Sequence, residues 1–304
     1  MTISDDELGQ AHASHAVATT FRAMPGTFYV VATPVGNLRD VTLRALDVLA
    51  TADVIAAEDT RVTSTLLRRH GIATRAISLH AHNEAQRTET LVATLASGKS
   101  VALVSDAGTP AISDPGARLV RAVRDAGFPV VPLPGPSAVA TAVSAAGLEA
   151  ENFAFLGFLP HQAKARHARL ATFANLPAAL VMYEAPHRAR ATVADLCAAL
   201  DPQRVLVVAR ELTKTFETIT RMPLCEADAW FAADPNRERG EFVLIVDVAP
   251  PERAALTLPA DVERWLAALL EELPPARAAR VVAAVAGIRR EAVYARALEL
   301  KPER

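Results

Sequence analysis

Only two cysteines, Cys197 and Cys225, occur in the 304 residues, and they fall in helical or amphipathic contexts. They form no spaced metal pattern, which argues against a disulfide framework or a zinc site and reads as reduced core thiols of a cytosolic protein. The Gly-x-Gly-x-x-Gly turn of dinucleotide and methyl-donor sites is missing, because after the first apolar run only Gly36 appears. A standard nucleotide-binding Rossmann site is therefore not expected, and neither is a P-loop. No apolar stretch reaches the roughly 18 residues that a membrane span needs. Charge imbalance is also small, at −2, so any nucleic-acid partner must be met by local patches and not by bulk electrostatics. The first 26 residues carry Asp5, Asp6 and Glu7 and no apolar core; they make no signal peptide and read as a flexible leader.

What is present is a repeated design. The run Val101–Val104 suits a strand buried on both faces and opens into Ser105-Asp106-Ala107-Gly108-Thr109-Pro110-Ala111-Ile112-Ser113-Asp114-Pro115-Gly116. Phe28–Ala32 runs into Thr33-Pro34-Val35-Gly36-Asn37, and Val130–Leu133 runs into Pro134-Gly135-Pro136-Ser137-Ala138. Three strand ends thus carry rigid loops of proline and glycine. In an open α/β sheet the loops at the carboxyl edge converge on one crevice, so together they describe a preformed pocket.

From Thr27 onward, short apolar runs alternate with amphipathic segments. Asp40 is placed to cap a helix bearing Leu43, Leu46 and Leu49, Val54–Ala57 reads as a strand, and Glu58-Asp59-Thr60-Arg61 starts a helix to about His70. A strand at Ala76–Leu79 and helices from Asn83 to about Ser97 and from about Asp114 to Ala126 complete a parallel sheet with crossover helices. Near Ser137 the texture changes. Strands are expected at Phe153–Leu156, Ala179–Tyr183, Val205–Ala209 and Phe242–Val246, with a helix from Arg188 to Leu200 and an antiparallel edge strand in Phe216–Arg221, which makes a mixed sheet. Past Pro250-Pro251, helices at about Ala260–Leu273, Arg277–Ala286 and Arg289–Leu300 form a small appendage. The expected organisation is a leader at 1–26, an N-terminal α/β domain at 27–136, a C-terminal α/β domain at 137–250 and a helical appendage at 251–304.

Several strings in order carry a resemblance: Ala32–Leu38, Ala57-Glu58-Asp59-Thr60-Arg61, His82-Asn83-Glu84, Ser105–Gly116, Pro134–Ala138, Gly157–Pro160, Tyr183-Glu184-Ala185-Pro186-His187-Arg188 and Ala209–Lys214. Val293-Tyr294 and Ala297–Leu300 extend it into the tail. The chain resembles the ribosomal RNA small subunit methyltransferase I family, a branch of the tetrapyrrole methylase superfamily whose members 2′-O-methylate a cytidine in the decoding centre of 16S rRNA. The resemblance implies S-adenosylmethionine in a deep cleft between two α/β domains. It places donor contacts at Pro34, at Asp106, Ala107, Gly108 and Thr109, at Ser137 and Ala138, and at Tyr183, Ala209 and Glu211. A zwitterionic, cationic ligand agrees with backbone groups on rigid loops and an acid such as Asp106.

RNA contacts are expected at basic positions. Lys164, Arg166, His167 and Arg169 form the densest basic segment, and Arg61 with Arg68 and Arg69 presents a second. Pro186 reads as the first residue of a helix, which puts His187, Arg188 and Arg190 where positive charge opposes the helix dipole. Either a bound phosphate relieves that conflict or these charges pair with Glu184 and solvent. Arg210 joins the RNA-facing set. A ribose hydroxyl is a poor nucleophile, so a general base or an alkoxide-stabilising cation is expected among Glu58, Asp59, Glu184, His187, Arg210 and Lys214. Glu58 and Asp59 can equally serve as caps at a helix start. His80 and His82 lack a third ligand at usable spacing, so no metal is expected. A corrin or uroporphyrinogen precursor as acceptor, or a non-catalytic ribosome-binding assembly role, are the competing readings. The low net charge favours the folded small subunit over protein-free 16S rRNA as acceptor, resemblance and apolar content favour a homodimer, and the protein is expected in the cytoplasm with no membrane partner.

Overall fold

Five short apolar runs, β1 (Phe28–Val31), β2 (Val54–Ala57), β3 (Ala76–Ser78), β4 (Val101–Val104) and β5 (Val130–Leu133), pair in the order β3-β2-β4-β1-β5, all parallel. The computed structural model describes residues 21–80, 82–248 and 258–300. It separates into one unit running to Thr141 and including Leu212–Phe216, and a second formed by Ala142–Glu211 and the residues from Glu217 onward.

Alternation along the strands explains the layering of the first unit. Tyr29, Val31, Ile55, Ala57, Ala102 and Val104 point to one face and pack with α1 (Leu43–Thr51) and α2 (Thr60–Arg69) through Val48, Leu49, Leu66 and Leu67. Phe28, Ala56, Val101 and Leu103 point to the other and meet α3 (Glu84–Ala96) and α4 (Ala117–Asp125) through Leu91, Leu95, Leu119 and Val123. Buried on both faces, β4 needs four consecutive apolar residues, and Val-Ala-Leu-Val supplies them. Connections leaving β2 and β4 run in opposite directions along this strand order, which puts a topological switch point between their carboxyl ends.

Caps set the helix starts. Asp59 caps α2 by accepting from Arg61 N at 2.8 Å. At α1 the expected cap, Asp40, instead ends a 3-10 turn over Leu38–Asp40, and Thr42 does the capping through Ala45 N at 3.1 Å, since only it stands three residues before that amide. The expected leader falls largely on residues 1–20, outside the described residues. Its last part is fastened down: Phe21 N donates to Asp47, Ala23 N to Thr51 and Met24 N to the Tyr29 hydroxyl, while Arg44 lies 5.0 Å over the Phe21 ring. The tripeptide Gly98-Lys99-Ser100 looks like the end of a phosphate-binding loop, yet it enters β4 from the amino edge and Ser100 is bonded to Asp53.

The second unit has the mixed sheet expected. β6 (Phe153–Phe158) is parallel to β7 (Ala179–Glu184), and β10 (Phe242–Val246) lies antiparallel between β7 and β8 (Val205–Arg210). β9 (Thr218–Pro223) is the antiparallel edge. One face packs on α7 (Pro186–Ala199) through Ala189, Val193 and Leu196, with Leu170 of α6 (Ala163–Ala171) and Phe231 of α8 (Ala227–Ala232) closing the core. α5 (Ala138–Ala146) and α6 were not read as helices from the sequence. Three helices, Ala260–Glu272, Pro275–Ala286 and Arg290–Leu300, form the appendage around Val262, Leu266, Val282 and Val293. No helix among the described residues is long and apolar enough to cross a membrane.

Candidate functional site

The parallel sheet brings the loops after β1, β2, β4 and β5 to one edge, and hydrogen bonds lock them together. Thr33 and Gly108 exchange backbone hydrogen bonds of 2.9 Å in both directions, and the Thr33 hydroxyl donates to the Ser105 carbonyl at 2.9 Å. Thr109 Oγ1 donates to the Pro136 carbonyl at 3.0 Å, tying in the β5 loop. On the β2 side, Asp59 N donates to Asp106 Oδ1 at 2.9 Å while Asp106 N donates to Glu58 Oε2 at 3.3 Å. Each acidic loop thus holds the backbone of the other. The far end of the β4 loop is held from α3: Asn83 closes the turn after β3 through His80 N, and Glu84 Oε1 accepts from Gly116 N and Arg118 N, capping α4 from outside. Gly116 sits at φ +124°, where a Cβ would lie 2.6 Å from Leu103, so only glycine fits this entry into the helix.

Four carboxylates gather at the switch point with little counter-charge. Asp59 is paired with Arg61 at 2.5 Å, and that pairing holds it down at about 2. The other three are pushed up. Burial raises Glu58, against the hydrogen bond from Asp106 N, and the charges of Asp106 and Asp59 add to it. Burial likewise raises Asp106, against the hydrogen bond from Asp59 N and the charge of Arg61, with the Asp59 carboxylate adding to the rise. Asp114 goes up to about 6 through burial and the charges of Glu58 and Asp106, despite a hydrogen bond with Ser105. Ala111 and Ser113, in the same loop, hold positive φ of 65° and 66°, a conformation that costs free energy for side chains larger than glycine. A rigid, anionic, partly desolvated edge of this kind suits a cationic ligand.

Lys214, a catalytic candidate from the sequence, joins this edge through a contact with Gly36 far away in the chain. The stretch Leu212–Phe216 follows β8 in the chain but clusters with the first unit. It lies so close over the β1 loop that a Cβ on Gly36 would come within 2.5 Å of Lys214 Cγ and 2.8 Å of the Leu212 carbonyl oxygen and of Thr213 Oγ1. Pro34, Asp106, Ala107, Gly108, Thr109, Ser137, Ala138, Glu58, Asp59, Arg61 and Lys214 therefore belong to the first unit and its loop edge. Asp114, eight residues beyond Asp106 in the same loop, is a functional candidate that sequence reasoning missed, because its neighbourhood with Glu58 and Asp106 forms only in the fold.

In the second unit several basic candidates prove to be internal. Arg166, read as an RNA contact, is buried; its guanidinium bonds Asp195 and the carbonyls of Pro160 and His161. Arg188 lies 3.2 Å from Glu184 and donates to the Leu159 carbonyl at 2.7 Å, so the pairing alternative describes it and no phosphate is required. Glu184, a catalytic candidate, is turned inward, accepting from Ala185 N and from Thr192 Oγ1 at 2.6 Å. Arg210 ties the end of β8 to the carbonyls of Asn236 and Arg239. Glu211, at φ +53°, accepts from Glu241 N at 3.0 Å and fills the space a Gly240 Cβ would take. Ala209 is buried in β8. His187, Lys164 and Arg169 are exposed, with Arg169 4.6 Å over the Phe173 ring. Tyr183 stands in an aromatic group with Phe155 at 4.9 Å and Phe158 at 5.5 Å. Phe158 is 54% exposed, and the irregular register between Phe155 and Phe158 turns it to the surface.

Residues 27–228 match the family model described as Tetrapyrrole (Corrin/Porphyrin) Methylases, and residues 257–301 match one described as RsmI C-terminal HTH domain. The chain is 50% identical to Ribosomal RNA small subunit methyltransferase I of Escherichia coli O157:H7, over 90% of this chain and 95% of that one. It is also 50% identical to the Vibrio cholerae protein of the same name, over 89% and 94%. Among solved structures it is similar to the methyltransferase CobJ, with a TM-score of 0.57 at 22% identity over 74% of this chain and 95% of that one. Uroporphyrin-III C-methyl transferase from Thermus thermophilus, complexed with S-adenyl homocysteine, gives a TM-score of 0.52 at 19% identity over 73% and 97%. These structures share the fold.

Two outcomes follow from the loop edge. The raised Asp114 binds a proton in the folded chain that the unfolded chain has already released, so between about pH 4 and pH 6 stability falls as pH rises. Asp114→Asn should flatten that window in urea titrations and gain about 1–2 kcal/mol at pH 7, after allowance for solvent screening of a half-buried group; an unchanged pH slope contradicts the assignment. Gly36→Ala should displace Leu212–Phe216, costing about 1–3 kcal/mol, and a thermal midpoint equal to wild type would show that the contact yields freely.

A third outcome separates neighbouring residues of α7. Removing Arg188 strands a buried Glu184, so Arg188→Ala should lose about 3 kcal/mol in urea denaturation, while His187→Ala should stay within about 0.5 kcal/mol. Equal losses would overturn the inward role of Arg188.

Proposed function

Because the chain belongs to the ribosomal RNA small subunit methyltransferase I family, a branch of the tetrapyrrole methylases, we propose that it moves a methyl group from S-adenosylmethionine to the 2′-hydroxyl of a cytidine in the decoding centre of 16S rRNA. The observation that carries this reading is the 50% identity maintained over 90% of the chain. The loop edge supports the donor: three carboxylates raised chiefly by burial, and further by neighbouring carboxylate charge, gain from a cation beside them. Asp106 would meet the donor's positive charge, and Pro34, Ala107, Gly108, Thr109, Ser137 and Ala138 would frame it with backbone groups held by the Thr33–Gly108 and Thr109–Pro136 bonds.

The donor, when bound, supplies a methyl group already activated by its sulfonium. What remains for the protein is alignment, which accounts for roughly 7–11 kcal/mol in well-oriented reactions, and removal of the hydroxyl proton. Glu58 suits the latter task. Burial makes it a stronger base than an ordinary carboxylate, and Asp106 N fixes one of its oxygens. Lys214, brought over the β1 loop, is placed to steady developing negative charge. Glu184 takes no part, being enclosed by Thr192, Ala185 and Arg188.

With a net charge of −2, the chain lacks the general attraction that would hold naked RNA, so the acceptor in this reading is the folded small subunit, recognised by shape as well as charge. The enzyme works in the cytoplasm as a homodimer. Labelled donor offered in parallel to protein-free 16S rRNA, small subunits and uroporphyrinogen tests the reading. Label is expected in subunit RNA, on a cytidine ribose, at a rate above that of the free RNA. Label in the tetrapyrrole alone, or on a base, contradicts it, and binding to subunits without transfer would favour an assembly role.

A further inference from the structure

The appendage divides its charge along the chain. Asp261, Glu263, Glu271 and Glu272 lie on its first helix, whereas the stretch from Pro274 to Arg290 holds four arginines, Arg277, Arg280, Arg289 and Arg290, and no carboxylate. All four are exposed, and among the described residues none makes an ion pair or a side-chain hydrogen bond. Arg296 behaves differently, being bound to Glu263 and Glu299 and so bracing the third helix against the first. Arg277 and Arg280, three apart, share a face of the second helix, and Arg289 and Arg290 stand at the turn into the third. Positive charge at that start opposes the helix dipole, with only Glu291 to offset it.

A recess of about 330 Å³ opens beside these arginines, lined by Ala276, Arg290, Glu291 and Tyr294. It combines an aromatic ring, a guanidinium and a carboxylate, which are the groups that stack on an unpaired nucleobase and hydrogen-bond its edge. The flanking surface of the second helix carries Val281 and Val285, 41% and 70% exposed, which offer apolar contact beside the arginines. A second copy of this chain fits poorly in a two-fold contact centred on this patch, since arginines would then face arginines.

We propose that the second and third appendage helices form an RNA-docking face, in which Arg277, Arg280, Arg289 and Arg290 hold the phosphate backbone and the Tyr294 recess takes an unstacked base of the ribosomal RNA. This rests on the rRNA reading of the methyl-transfer site and adds a separate surface that captures the same substrate. The match to an HTH domain agrees with it, since the helix after the turn is the one such motifs present to nucleic acid. It also explains how a chain of net charge −2 holds RNA, by concentrating cations on one small element.

The test compares the full-length chain with the charge-reversed variant carrying Arg277→Glu, Arg280→Glu, Arg289→Glu and Arg290→Glu, and with Tyr294→Leu. Binding to small subunits and to 16S rRNA fragments is measured across a salt series, beside methyl-transfer kinetics and donor titration. The charge reversal should weaken RNA binding at least tenfold and reduce the salt slope by roughly 3. KM for the subunit should rise, with kcat and donor affinity within about twofold. A variant with four lysines in place of the arginines should retain most of the binding, which separates lost charge from lost fold. Unchanged RNA affinity and salt slope in the charge-reversed variant overturn the proposal, as does a loss of dimer with RNA binding intact, or a preference for duplex DNA. Absence of methyl transfer to rRNA by the wild-type chain would instead remove the rRNA reading, and the salt series would still report on the docking face.

Discussion

The pair of backbone hydrogen bonds between Thr33 and Gly108 is the contact on which the loop edge depends. It joins the ends of two neighbouring parallel strands, β1 and β4, beyond the point where the sheet itself stops. With Thr109 on Pro136 and Asp59 on Asp106, hydrogen bonds join four loops into one rim. Proline stiffens the loops after β1, β4 and β5, and the cross-bonds restrain the glycines there and the β2 loop, which has neither residue. Rigidity matters to group transfer because donor and acceptor must be held in line, a proximity effect that can supply roughly 7–11 kcal/mol.

That rim accumulates negative charge by construction. Asp59 and Glu58 are committed to backbone amides and to Arg61, and Asp106 and Asp114 follow on the adjoining loop. In water such neighbours would repel weakly; partly buried, they raise one another's affinity for protons. A cation at the rim relieves that repulsion, so in the proposed reading the arrangement that weakens the fold would strengthen attachment of a positively charged donor. If this rim is the donor site proposed above, stability is given up where function resides, a common compromise.

Much of this was legible in the chain. The four-residue apolar strand β4 and the proline-glycine loops that follow β1, β4 and β5 announce a parallel sheet with a busy carboxyl edge, and the structure has both. Where residues were read one at a time against their own helix, the reading was incomplete. Arg166 and Arg188 look like surface charges in sequence, and only tertiary packing delivers Asp195 and the Leu159 carbonyl to them. Glu84 caps a helix 32 residues away, and Leu212–Phe216 folds onto Gly36 from the far half of the chain. Neither leaves a local signal. The raised Asp114 is hidden for the same reason, since its pKa belongs to a neighbourhood and not to a motif.

Calorimetric titration of S-adenosylmethionine into the wild-type chain and into Asp106→Asn most directly tests the claim that the anionic rim holds the donor. The account predicts binding to the wild type with release of protons near pH 6, as the raised carboxylates ionise, and binding at least tenfold weaker in the variant, with less proton release. Equal affinity in the two proteins, or proton uptake on binding, would contradict it.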